Sequence, residues 1–358
     1  MSDSIAEAIK SEGSLNALFN STTCGDLMRA VDSGSNKLAS RPTHPICLDS
    51  ELSVTEGCEA LAANKITSAP IYDAAKGGFV GMLDYRDLVA YVLSVLHKVA
   101  KDAPPPDATL EVTDIVKRAL SNKGDVPIKL ISNLSHLNPL ATVQASSCVR
   151  EAVEDFTQKR AHRLIVLEPD SEASQFAGIL SQSTIAALVA SRVGKLAGVT
   201  NPKEKCIWPT GNKTLEEVGL VGKEVVSVIP EDTVLEALYT MHENHLSSVA
   251  IVERGSHGND LVGSISMTDI KMVLSARSGW RRLYENCYDF FTSLRYEQGL
   301  EAGGDDRVPT YIVHPHSTLI ATIEKLAATR AHRVWICSGA SRLVGVVSLS
   351  DIMPLLLQ

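Results

Sequence analysis

Apolar residues recur at steps of three and four through residues 54–65, 149–160, 234–245 and 319–330. That spacing gives a helix with one face against a core. Each stretch is followed by a short apolar run, at 69–72, 164–167, 249–252 and 334–337, rich enough in β-branched residues to predict a buried strand. A seven-residue pattern then closes each segment: Gly81-Met-Leu-Asp-Tyr-Arg-Asp87, Gly178-Ile-Leu-Ser-Gln-Ser-Thr184, Gly263-Ser-Ile-Ser-Met-Thr-Asp269 and Gly345-Val-Val-Ser-Leu-Ser-Asp351. In all four, glycine leads, a capping residue stands fourth, and Asp or Thr stands seventh before an aliphatic Leu88, Ile185, Ile270 or Ile352. One unit, read as strand, helix, strand, short loop, strand and a helix opening at the glycine motif, is therefore present four times. At about 50 residues it is too small to bury both faces of its own sheet, so the units are expected to pair into two α/β modules in tandem.

The repeats fall at residues 42–100, 139–193, 223–277 and 308–358. An arm at 1–41 carries one weak helical pattern and a Ser/Gly-rich stretch, and is expected to be partly disordered. The linker 101–138 holds Ala103-Pro-Pro-Pro-Asp107, a loop signal, and a helical stretch at 112–121. A second linker spans 194–222. The connector 278–307 opens on aromatics (Trp280, Tyr284, Tyr288, Phe290, Phe291), which read as core or interface rather than as a base-stacking platform. It ends in Gly303-Gly-Asp-Asp306, a flexible composition.

Composition adds exclusions. The 358 residues are 44% hydrophobic and 21% charged, the balance of an ordinary globular chain. With 34 basic and 42 acidic residues the net charge is −8, which argues against nucleic acid and anionic membranes as partners. The longest near-apolar run, from Leu88 to Leu96, is about half of what a bilayer needs. Neither a basic start nor an apolar stretch of a secretory signal opens the chain, so a place in the cytoplasm or nucleus is expected, with the seven scattered cysteines reduced. No two of those cysteines have the spacing of a zinc site, so no metal is expected. No nucleophile elbow, Walker loop, kinase signature or His-Glu-x-x-His occurs, and no room remains for a catalytic domain, so the chain does not read as an enzyme.

The repeat resembles the cystathionine β-synthase (CBS) domain. Gly345-Val-Val-Ser-Leu-Ser-Asp351 and Phe79-Val-Gly-Met-Leu83 lie close to the family's wording, as do Ala161-His-Arg-Leu164 and Ala331-His-Arg-Val334 at one register in repeats two and four. Four such repeats resemble the γ regulatory subunit of AMP-activated and sucrose-non-fermenting protein kinase. That resemblance implies an α/β fold of two tandem Bateman modules in a flat, pseudo-symmetric disk. It also implies AMP, ADP or ATP as ligand, no cofactor, and a kinase catalytic subunit and a scaffold subunit as partners.

A nucleoside phosphate needs a group for the ribose diol and cations for phosphate. A carboxylate accepts two hydrogen bonds at once, so Asp87, Asp269 and Asp351 are the ribose candidates. His162-Arg163 and His332-Arg333 are the phosphate candidates, the guanidinium fork matching phosphate oxygens. Ser247, Ser266, Thr268, Ser348 and Ser350 complete the expected contacts, so repeats three and four match best. Ser266-x-x-Asp269 and Ser348-x-x-Asp351 are equally capping boxes, which stabilise a helix start without any ligand. The His-Arg pairs could likewise be solvated cations at a helix C-terminus. Repeat two has Thr184 in the ribose position, and repeat one places Asp84 and Arg86 where small hydroxyl residues stand elsewhere. Two functions remain open: an adenine-nucleotide sensor that regulates a kinase, and a CBS-repeat adaptor or inhibitor of a phosphatase or kinase with weak or no nucleotide dependence.

Overall fold

The computed structural model describes residues 14–32, 46–64, 66–102, 126–168, 176–197, 208–255, 258–267, 269–270, 279–301, 310–339 and 341–358. The arm forms α1 (Leu15–Ser21) and α2 (Cys24–Asp32). Repeat one runs β1 (Leu48–Asp49), α3 (Val54–Ala63), β2 (Ser68–Asp73), β3 (Gly78–Asp84) and α4 (Tyr85–Asp102), with the single turn α5 (Ile128–Ile131) after it. Repeat two runs β4 (Thr142–Gln144), α6 (Val149–Gln158), β5 (Arg163–Leu167), β6 (Phe176–Ser181) and α7 (Gln182–Ala197). Repeat three has β7 (Ser227–Val228), α8 (Val234–Glu243), β8 (Ser248–Gly255) and β9 (Gly258–Ser266). A 3₁₀ turn, Gly279–Tyr284, and α9 (Cys287–Glu301) follow. Repeat four has β10 (Ile312–Val313), α10 (Leu319–Thr329), β11 (Arg333–Ser338), β12 (Arg342–Ser348) and the short α11 (Leu349–Ile352). The helical stretch expected at 112–121, the Pro-rich loop at 103–107 and the sequence at 303–306 lie outside the described residues.

Every repeat pairs its strands in one way. The first lies parallel to the second across a helical crossover, as in Leu48↔Ile71 and Val313↔Ile336, and the second turns back antiparallel on the third. A bulge falls at the same point each time, after Ile71, Val166, Ile251 and Ile336, each of which faces the motif glycine. Ser53 and Thr233 cap their helices in full capping boxes with Glu56 and Glu236, and Thr318 caps α10 by accepting from the Ala321 amide. Repeat two departs here, since Cys148 stands at the cap without a side-chain bond.

The connectors complete the repeats. A β-bridge joins the cap residue of each first helix to a connector: Ser53 to Pro127, Cys148 to Thr23, Thr233 to Asn286 and Thr318 to Thr214. Each connector then crosses the hairpin at the motif glycine. A methyl group on Gly81 would overlap Ser132 Oγ, and on Gly178 it would stand 2.5 Å from Met28 Cε. On Gly263 it would meet the Phe291 ring at 2.9 Å, and on Gly345 the Leu220 carbonyl oxygen at 2.9 Å. The glycine recurs because a second chain segment passes where a Cβ would be. Gly345→Ala is thus expected to cost about 1–3 kcal/mol, because the obstacle is backbone. Gly78→Ala, which meets nothing within 4 Å, should stay within about 0.5 kcal/mol. Urea denaturation of both variants checks the contrast.

The chain folds into two compact units. One gathers Met1–Pro45, Ala141–Glu224 and Tyr311–Gln358, and so holds the arm with repeats two and four. Its single core includes Phe19 and Leu27 of the arm, Val153, Leu164 and Ile185 of repeat two, and Ile323, Val334 and Ile352 of repeat four. The other gathers Ile46–Leu140 and Val225–Thr310, repeats one and three. There, α4 of repeat one places Val89 and Leu93 in the core of repeat three, against Met241 and Phe290 among others. Within the arm, residues 14–32 are two helices, with Phe19 and Cys24 wholly buried. Residues 126–138, read as linker, supply Ile128 and Ile131 to the core of repeat one.

Candidate functional site

The three candidate ribose carboxylates lie at the start of the motif helices in different surroundings. Asp87 is fully buried; its Oδ1 accepts from the Ser135 amide (3.0 Å) and hydroxyl (2.6 Å), and its Oδ2 accepts from Asn138 Nδ2 (3.3 Å). Beside it Asp84 caps α4, accepting from the Arg86 amide, and takes the Arg86 guanidinium on both oxygens at 3.0 and 3.1 Å. Both side chains of that ion pair are buried. The carboxylate added in repeat one is therefore neutralised from within the motif, and the ribose-position carboxylate is closed by Ser135 and Asn138 from the connector.

Burial pushes the Asp87 carboxyl up to about 6, with the Ser135 hydrogen bond pulling down and the Asp84 charge adding to the rise. The folded state thus holds a proton that the unfolded chain, near 3.9, has lost. Between about pH 4 and 6 the stability of this unit falls as pH rises, and the contribution is level above that window. Asp87→Asn should remove the slope, a change on the order of 2–3 kcal/mol, read as the difference between variant and wild type in denaturation at pH 4.5 and pH 7.

In repeat three, Asp269 is 4% exposed. Its Oδ2 accepts from the Ser266 amide and hydroxyl at 2.9 and 2.7 Å, the capping arrangement. Arg295 of α9 reaches across onto both oxygens at 3.1 and 3.4 Å and lies over the Phe291 ring. Ser247 is half-buried, and its carbonyl accepts from the Met267 amide. Thr268 lies outside the described residues.

Repeat four is different. Ser348 caps α11 in a box with Asp351, whose described donors, the Ser348 amide (2.9 Å) and hydroxyl (2.6 Å), both reach Oδ2. Asp351 is half-buried and takes no described cation. Ser350 donates to Gln182 Oε1 at 3.1 Å, which brings the motif helices of repeats two and four together. Gln182 also donates from Nε2 to the Ala161 carbonyl, and its amide meets the His162 carbonyl. Thr184, in the ribose position of repeat two, lies in a hydroxyl cluster with Ser181 and Ser183.

The two His-Arg pairs occupy equivalent places in this unit. Arg163 opens β5 opposite Ser181, and Arg333 opens β11 opposite Ser348. The carbonyl of each preceding histidine receives the motif helix, His162 from Gln182 and His332 from Leu349. Arg163, Arg333 and His162 are half-buried and His332 is exposed. Four residues that shape these places, Ser135, Asn138, Arg295 and Gln182, escape a reading by motif. Only Gln182 carries a signal, being polar at a position where the other repeats have Tyr85, Met267 and Leu349.

Known proteins agree with this repeat. The CBS domain family matches residues 39–94, 216–276 and 307–358. Among curated proteins the chain is similar to protein Sds23 of Neosartorya fischeri, 31% identical over 257 residues, covering 72% of this chain and 44% of that one. It is also similar to the Sds23 proteins of Eremothecium gossypii, 30% identical over 306 residues (81% and 57%), and Yarrowia lipolytica, 30% identical over 347 residues (88% and 65%). The chain spans about half the length of the first curated relatives it matches. Among solved structures it shares its fold with protein MJ1225 of Methanocaldococcus jannaschii, described as a proposed archaeal homologue of γ-AMPK. The TM-score is 0.62 at 13% identity, over 88% of this chain and 97% of that one. The kinase γ-subunit resemblance is thus one of fold, while the relatives named above by sequence are Sds23 proteins. Strand order, repeated bulge, motif glycine and family match agree: the chain is a CBS-domain protein.

Proposed function

We propose that this protein is a non-catalytic CBS-repeat adaptor that regulates a protein phosphatase or kinase, with nucleotide dependence confined to repeat four. The observation that carries the reading is the state of the three ribose-position carboxylates. Asp87 is closed by Ser135 and Asn138, and Asp269 by Arg295, whereas the described partners of Asp351 leave its Oδ1 to a ligand. A ligand at Asp87 or Asp269 would have to displace a buried or charge-assisted contact first. The similarity in sequence to Sds23 proteins supports the adaptor over the energy-sensing subunit.

At repeat four, Asp351 Oδ1 would accept from the ribose diol, and Ser350 and Arg333 would face the phosphate of an adenine nucleotide. The test is to purify the tagged full chain from cells and assay phosphatase and protein-kinase activity in the co-purified material, with and without 1 mM AMP or ATP (roughly the high end of ligand levels). An associated activity that nucleotide changes less than about threefold is the expected result. Its absence, or a change of tenfold or more (about 1.4 kcal/mol of coupling), contradicts the adaptor reading.

A further inference from the structure

The connector of repeat three is aromatic on both sides. Its inward face buries Leu283, Cys287, Phe290, Phe291 and Leu294. Its outward face carries Tyr284, Tyr288 and Tyr296, which are 50%, 47% and 70% exposed, with exposed Thr292 filling the intervening turn. Tyr288, Thr292 and Tyr296, at four-residue steps, form one ridge along α9, and Tyr284 ends the turn that leads into it. Tyr239 of α8 stands beside Tyr284 and widens the ridge. Backbone bonds from Val234 to Glu285, Cys287 to Asp232 and Tyr288 to Pro230 fasten the start of α9 to 230–234 and give the ridge a fixed base.

Charge around it is predominantly acidic. Residues 231–245 and 279–297 hold seven acidic and three basic side chains. Of the basic ones, Arg282 is engaged by Glu285 and Glu297 and Arg295 by Asp269, while Arg281 is exposed in the turn that ends at Tyr284. On the inward face both arginines lie over aromatic rings, Arg282 over Phe290 at 4.9 Å and Arg295 over Phe291 at 5.3 Å. The outward rings offer the same π-faces to a cation supplied from outside.

We propose that the Tyr284–Tyr288–Tyr296 ridge docks an arginine-bearing, otherwise apolar segment of a partner protein. Tyrosines on a rigid support give large contact area at low entropic cost, and the acidic surround attracts basic segments and repels acidic ones. The proposal rests on the adaptor reading, for which it supplies a partner surface.

The test uses a fluorescein-labelled twelve-residue peptide of alternating arginine and leucine, with a glutamate-for-arginine peptide as control, titrated into the full chain by anisotropy. The arginine peptide should bind and the control should not. The double variant Tyr288→Ser/Tyr296→Ser should weaken binding at least about tenfold at an unchanged melting temperature, and Asp289→Lys should weaken it several-fold. Equal binding by wild type and the tyrosine double variant would show attraction by overall charge alone and overturn the proposal, as would no binding or equal binding of the control. If the peptide fails while phosphatase or kinase activity still co-purifies, the ridge is wrong and the adaptor stands. If the peptide binds and no activity co-purifies, the adaptor reading falls.

Discussion

Arg86→Ala is expected to destabilise the unit of repeats one and three by about 3–5 kcal/mol, the cost of leaving a buried charge without its partner. Arg86 and Asp84 are both nearly inaccessible, and the guanidinium holds both Asp84 oxygens. Asp87 follows Arg86 directly in the same interior, so truncation also takes a cation away from beside a second buried carboxylate. Protonating the two carboxylates would relieve part of the strain, so the loss should be larger at pH 8 than at pH 5. The double variant Arg86→Leu/Asp84→Asn, which removes the pair together, should recover most of the stability. Equilibrium urea denaturation at the two pH values reads all three. An Arg86→Ala variant as stable as wild type would show that water reaches Asp84.

Phe19→Ala should have an effect of similar size, about 3–5 kcal/mol, on the other unit. Phe19 is wholly buried among residues of the arm, repeat two and repeat four. The helix bearing it is capped by Ser14, which accepts from the Ala17 amide. Its neighbour α2 is held to repeat two by backbone bonds from Cys24 to Ser147, Gly25 to Ala145 and Val149 to Thr22. A loss below about 1 kcal/mol, the range of a surface substitution, would mean that the arm is dispensable to repeat two.

The arm also shows where reading by pattern stops. The four repeats were legible because a recurring helix period, strand run and glycine motif reinforce one another. The arm's nine-residue helix α2 has no repeat to reinforce it, and its apolar residues make sense only beside Gly178 of repeat two, some 150 positions away by number. Partners at that separation leave no local period in sequence. The same holds for the site. Asp84 and Arg86 stand two residues apart, so their pairing is local and needs no partner from elsewhere in the chain. Ser135 lies 48 positions from Asp87, and Arg295 lies 26 from Asp269 in a connector with no motif of its own. Their effect, closing two carboxylates that share a motif with Asp351, could be read only from the fold. The compact pairing of repeat two with four and one with three is hidden for the same reason, since it depends on which helices meet across long loops.

Calorimetric titration of the full chain with AMP, ADP and ATP tests the central claim most directly, run on wild type, Asp87→Asn, Asp269→Asn, Arg333→Ala and Asp351→Ala. The account predicts no more than one nucleotide per chain. Any binding should be lost in Asp351→Ala and weakened at least about tenfold in Arg333→Ala, where a charge-assisted contact disappears, and kept in Asp87→Asn and Asp269→Asn. Two or more nucleotides per chain, or binding that survives Asp351→Ala, would contradict it.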